Sequence, residues 1–204
     1  MKILYSLALI LLPAPAVFAQ YTMGTAGAPP VPAPAVDPAG IQISAGGKTW
    51  CELWFARSLP AGTVSAGEAI SLPAIPHGAF LGIVRFPAQA QDRRGNPVKA
   101  GIYAMRYSLY PTDGNHMGVA PQRDFVVLIP IEKDKPPADL PDYEGLMALS
   151  RASTGNPHPS VLSLSASSEE KLPVLKKEAD HDWTVHIRIG GTSVALIVAS
   201  KAES

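Results

Sequence analysis

One cysteine stands in 204 residues, and that single thiol, Cys51, excludes any intramolecular disulfide. Long hydrophobic runs are missing as well. Beyond residue 19 no stretch reaches the roughly eighteen consecutive apolar positions that a membrane-crossing helix needs. Net charge is absent, with 17 Lys+Arg against 17 Asp+Glu, so a nucleic-acid partner held by counterion release is not expected. The chain has no G-x-S-x-G elbow, no Walker-type phosphate loop, no H-E-x-x-H and no cysteine pair for a thiolate metal centre. No repeat with a period of roughly 20–50 residues is visible, so neither a solenoid nor a propeller is supported. These absences leave a fold class and a compartment more legible than a chemistry.

What is present begins with an export signal. Met1-Lys2 opens the chain with a positive charge, Ile3 to Leu12 is almost wholly apolar, and Ala16-Val17-Phe18-Ala19 places small residues before Gln20. That is the order of a secretory signal peptide, here residues 1–19, and its apolar stretch is too short to span a bilayer. Cleavage would remove Lys2 and leave 16 positive against 17 negative side chains. No transmembrane segment is expected after cleavage. The location read from this is periplasmic or extracellular. Residues 20–40 are rich in Ala, Gly and Pro, with Pro29, Pro30, Pro32, Pro34 and Pro38 and the single charge Asp37. Such a segment favours extended backbone with little to bury, and it is read as a flexible tether.

From Ile41 to Ser204 the pattern is that of a single, mainly β domain, an antiparallel β-sandwich or jelly-roll of about eight to ten strands. Ile41–Ser44 and Thr49–Ala56 flank Ala45-Gly46-Gly47, a hairpin signal. Glu68–Leu72 is read as a short edge strand, and Ala79–Phe86 as a strand covered on both faces. In Ile102–Tyr110 the residues Tyr103, Met105, Tyr107 and Leu109 alternate with Ala104, Arg106 and Ser108, the period of a half-buried strand. Arg123–Ile131, Ser160–Ala166, Trp183–Ile189 and Ser193–Ala199 complete the set, the last two joined by Gly190-Gly191. One helix near residues 140–153 interrupts the strands, capped by Asp139 and stopped by Gly155 and Pro157. Its Leu140, Tyr143, Leu146, Met147 and Leu149 are expected to cover an open end of the sandwich.

Candidate chemistry is confined to a few places. Asp113-Gly114-Asn115-His116-Met117-Gly118 offers imidazole and thioether, a pair suited to copper, with Asp113 as an oxygen ligand. The same loop reads equally as a turn whose Asp113 and Asn115 bond their own backbone. In Asp180-His181-Asp182-Trp183-Thr184-Val185-His186, a strand starting at Trp183 puts Trp183, Val185, Ile187 and Ile189 on one face and Thr184, His186 and Arg188 on the other. His181 and His186 then point apart. His181 can instead join His116 at one end of the domain, with Asp180 and Asp182 orienting the ring, or the segment is a solvated corner. Cys51 lies in a strand-like run and is read as a buried, inert thiol. Glu52 shares a face with Trp50 and Trp54. Trp50, Trp54, Tyr103 and Tyr107 would form the platform of a carbohydrate or peptide groove if they were exposed, and core if they were not.

Two stretches carry a resemblance. Gly101-Ile102-Tyr103-Ala104-Met105-Arg106-Tyr107 through Asp113-Gly114-Asn115-His116-Met117-Gly118 to Arg123-Asp124-Phe125 resembles secreted bacterial proteins of unknown function associated with soil bacteria. Lys99-Ala100-Gly101-Ile102-Tyr103 is similar to a wider set of exported β-sandwich domains. The resemblance spans residues 99–125. It implies export and a β fold, and it brings no catalytic residues. Three functional readings follow. The first is an exported, non-enzymatic β-sandwich module that binds an envelope or extracellular ligand and needs no cofactor. The second is a periplasmic protein holding copper or zinc through His116 with His181 or Met117. The third is a hydrolase or isomerase working from loop carboxylates.

Overall fold

Ten strands of the chain hydrogen-bond into one antiparallel sheet that curls until its first and last strands approach each other, nearly closing a barrel. A computed structural model describes residues 20–92, 95–112, 122–154, 158–179 and 182–200. The strands are β1 (Tyr21–Ala26), β2 (Gly40–Ala45), β3 (Lys48–Phe55), β4 (Phe80–Phe86), β5 (Ala90–Gln91), β6 (Pro97–Val98), β7 (Gly101–Leu109), β8 (Asp124–Pro130), β9 (Ser160–Ala166), β10 (Val174–Glu178), β11 (Asp182–Ile189) and β12 (Thr192–Ala199). In space the large sheet runs β1-β2-β3-β4-β7-β8-β9-β12-β11-β10, while β5 and β6 pair only with each other. The hairpins at Gly46-Gly47 and Gly190-Gly191 put all four glycines at positive φ, the conformation that matches a tight turn to strand twist.

The turning point of the sheet is β9. Its first half, Ser160–Ser163, pairs with β8, and its second half, Leu164–Ala166, pairs with β12. The expected sandwich therefore becomes one continuous sheet, because a single strand divides its hydrogen bonds between the two halves. Ile43, Leu53, Val84 and Met105 from one half pack with Val185, Ile187, Val194 and Leu196 from the other in a common core. Alternation supplies this core. Inward residues of each strand are apolar, and the two inner faces meet across the bend.

Residues 20–40 are not a tether over their whole length. Tyr21–Ala26 forms β1 and pairs with β2 in register Tyr21↔Ala45 to Ala26↔Gly40. Val36 is buried and bridges to Ala56. The prolines that suggested a tether all lie between residues 29 and 38, so 21–26 keeps every backbone donor a ladder needs. Tyr21 then closes the seam. Its ring centroid lies 5.8 Å from Trp50 in an edge-on contact and 5.5 Å from Trp183.

Two further expectations change. Glu68–Leu72 is not a strand but part of the long connection between β3 and β4. Its Ser71 and Leu72 amides donate to the Asp124 carboxylate at 2.7 and 3.0 Å, so it is bound by a side chain instead of a neighbouring strand. The helix α1 is Tyr143–Thr154, and the Asp142 side chain accepts the Gly145 N–H at 2.8 Å in place of an Asp139 cap. It covers a face of the sheet and not an open end. Leu146 and Met147 bury against Phe125, Val127, Ile129 and Val161, while Leu140 lies outside the helix and is exposed. Covered by the core on one side and α1 on the other, β8 is buried at every position.

Candidate functional site

The strands β10 and β11 form the last turn of the curled sheet, and their antiparallel register sets Glu178 directly opposite Asp182 and Lys176 opposite Thr184. Along β11 the alternation read from the sequence holds. Val185, Ile187 and Ile189 enter the core, and Thr184 and His186 lie on the other face. That outer face is not solvated as its polarity suggests. Thr184 is 1% exposed and His186 4%.

A cleft of about 190 Å³ opens on this face, across β9, β12, β11 and β10. Its polar wall comprises Gln122, Ser163, Ser165, Glu178, Asp182 and Thr184. Ala195 and Ile197 supply an apolar part, and Leu164 also borders the cleft while its side chain belongs to the core. A register shift between Trp183 and Thr184 moves the β12 partner from Ala199 to Ile197, which seats Thr184 beside Ile197 at the cleft. The Thr184 hydroxyl is buried and has no hydrogen-bond partner among the described residues. A buried hydroxyl without a partner forfeits the hydrogen bond it had with water, at a cost of about 1–3 kcal/mol. Gln122 donates its side-chain N–H to the Leu164 carbonyl at 3.2 Å, which holds it at the rim.

Beside the cleft, His186 Nδ1 lies 2.9 Å from Ser167 Oγ, and its Nε2 is 3.1 Å from Glu178 Oε1. The second approach is short enough for an ion pair when the ring is protonated, yet it lacks hydrogen-bond geometry. Ser, His and Glu in this order invite comparison with a nucleophilic triad. Ser167 Oγ, however, accepts the Glu169 N–H at 3.2 Å and so braces its own turn. Glu169 in turn pairs with Lys176 at 2.5 Å, and that hydrogen bond holds its carboxyl below the usual range. The strand end preceding this turn is tied across the molecule, with Ala166 N–H donating to Ser71 Oγ at 3.1 Å.

The sequence-derived candidates fare differently. Asp113, His116, Met117 and His181 lie outside the described residues. Among the described residues, no three His, Cys, Asp and Glu side chains gather in a way that would hold a metal ion. The four aromatic candidates do not form an exposed platform. Trp54 and Tyr103 are buried, Tyr107 is fully so, and Trp50 is half-buried. Their polar tips are engaged by the protein itself. Trp50 and Trp54 donate to the carbonyls of Val198 and Gly27, both at 2.9 Å, and Tyr103 donates to Lys99 O at 2.7 Å. Tyr107 donates to Asp124 at 2.7 Å, and burial raises its phenol well above the ordinary range. Cys51 is buried, and burial pushes its thiol up. Glu52 pairs with Arg85 on the neighbouring strand.

Sequence reasoning missed Glu178, Thr184 and the serines of β9 as a group. The alternation of β11 did separate Thr184 and His186 from the core face. The strand β10 carried no comparable signal, because VLKKE has only two apolar residues, side by side. No family model matches the chain, and no curated protein or solved structure matches it either.

Proposed function

We propose that the protein is an exported, non-enzymatic binding module, a sandwich-like scaffold that takes a small polar ligand in the cleft at β9, β12, β11 and β10. The observation that carries this reading is the Thr184 hydroxyl, buried without a partner among the described residues in the wall of a cleft of about 190 Å³. A ligand group bonded there would supply what the fold leaves out. Export is supported by the signal-like residues 1–19, whose removal would start the chain at Gln20, one residue before β1. The resemblance of residues 99–125 to secreted proteins points the same way.

The test uses protein purified after expression of the full-length chain in its own host or a close relative. Small polar compounds of positive, negative and zero charge are added while backbone amide resonances are followed. Saturable shifts centred on Ser165, Thr184 and Ala195 are expected from at least one compound. No shift at these amides from any of them, or retention of the folded protein in the cytoplasm, overturns the reading.

A further inference from the structure

We infer that the ligand of this cleft is a small organic cation, an alkylammonium whose N–H groups donate to the Glu178 carboxylate and the Thr184 hydroxyl. This rests on the cleft being a ligand seat and adds the chemical class of the ligand. The charge of the wall decides first. Among the described residues, Glu178 and Asp182, directly opposite each other in the ladder, are the ionisable groups that line the cleft, and both are acidic. The nearest cationic side chain of the same hairpin face, Lys176, is drawn away by Glu169 at 2.5 Å. An anion would meet carboxylates on entry.

Shape and lining narrow the class. A cleft of about 190 Å³ suits an organic group better than a bare ion. The donor set agrees, since no three metal-binding side chains converge among the described residues. Among the described residues the wall presents no aromatic ring on which a sugar could stack. It does present Ala195 and Ile197 beside the polar groups, a surface for an alkyl stem. The Thr184 hydroxyl, only 1% exposed as a residue and without a partner among the described residues, is an acceptor waiting for an N–H. His186 also faces Glu178, from β11 at 3.1 Å.

The probes are n-butylammonium, the neutral 1-pentanol, butyrate and calcium chloride, each titrated into protein purified after expression of the full-length chain. Backbone amide shifts provide the readout. Butylammonium is expected to move the Ser165, Thr184 and Ala195 amides saturably, with little response to the other three. Glu178→Gln is expected to weaken it about tenfold, the scale of a lost charged hydrogen bond. Thr184→Val is expected to weaken it less, with the rest of the spectrum unchanged. Equal or stronger shifts from pentanol, butyrate or calcium overturn the cation class while leaving the cleft as a seat. Binding that Glu178→Gln does not alter overturns the assigned contact. Silence from all four overturns this inference, and silence from the wider panel as well removes the reading on which it stands.

Discussion

Tyr21 and Trp183, from opposite ends of the chain, meet with ring centroids 5.5 Å apart across the seam where the curled sheet fails to close. Neighbouring strands in sequence make hairpins in any β protein. A contact between the first strand and the eleventh exists only if the sheet bends by the full amount. Trp50 shares the joint, touching Tyr21 with its ring and donating to Val198 on β12.

Removing that joint should loosen the seam. Tyr21→Ala is expected to lower unfolding free energy by about 1–2 kcal/mol, from a lost aromatic pair and part-buried ring area. Urea unfolding followed by tryptophan fluorescence reads this directly, and an unchanged midpoint would mean that β1 contributes no closure.

Arg106 is the second pivot, and it is not near the cleft. Its guanidinium is fully buried, donates to Asp134 Oδ1 at 3.0 Å, and reaches the carbonyls of Gly78, Lys135, Pro136 and Asp139. Every donor of the fork has an oxygen, which draws residues 134–139 onto the sheet. Asp134→Asn or Arg106→Leu should each cost about 3–5 kcal/mol, because one half of a buried pair is left behind. Arg106→Leu combined with Asp134→Asn should cost less than the two single changes summed. A denaturant series on the four proteins checks the non-additivity.

Thr184→Val should behave in the opposite way. It keeps the branched shape of the side chain and removes a hydroxyl that has no partner among the described residues. The expected change is neutral or a gain of up to about 1 kcal/mol in the absence of ligand, since an unsatisfied buried group is lost. A marked loss of stability, measured by the same unfolding curves, would mean that the hydroxyl already has a partner in the free protein.

His77 gives the fold a pH dependence. Burial lowers its pKa from the ordinary 6.5, although the Pro141 carbonyl and Asp142 pull it back, and Nε2 lies 3.0 Å from Ser108 Oγ. With the folded value below the unfolded one, the unfolded chain binds more protons in the interval between them. The contribution of His77 is whole above about 6.5 and is lost as pH falls through the lowered value. His77→Gln should flatten the decline in stability as pH falls below about 6.5, which parallel urea curves at each pH would reveal. An identical decline in the variant would place the titration elsewhere.

Much of the secondary structure was legible because side-chain direction in a strand is local. The alternation in Ile102–Tyr110 separates Tyr103, Met105 and Tyr107 from Ala104, Arg106 and Ser108 whatever the strand packs against. The run Phe125–Ile129 marked a strand without saying that α1 covers one of its faces. The edges were harder. The strand β1 was hidden by prolines eight or more residues beyond its start, and β10 by lysines that suit a free edge. Glu178, from that unread strand, is the cleft residue that composition alone gave least reason to choose.

The sequence by itself determined the mainly β class, the two glycine hairpins, the helix and the core face of β11, since period and turn chemistry act within a few residues. Only the tertiary structure decided that β9 divides its hydrogen bonds, that Tyr21 reaches Trp183, and that Thr184 lies buried in a cleft facing away from the core. Those depend on how far the sheet curls. That curl is a sum of twists and of one divided ladder across ten strands, and no window of the sequence contains it.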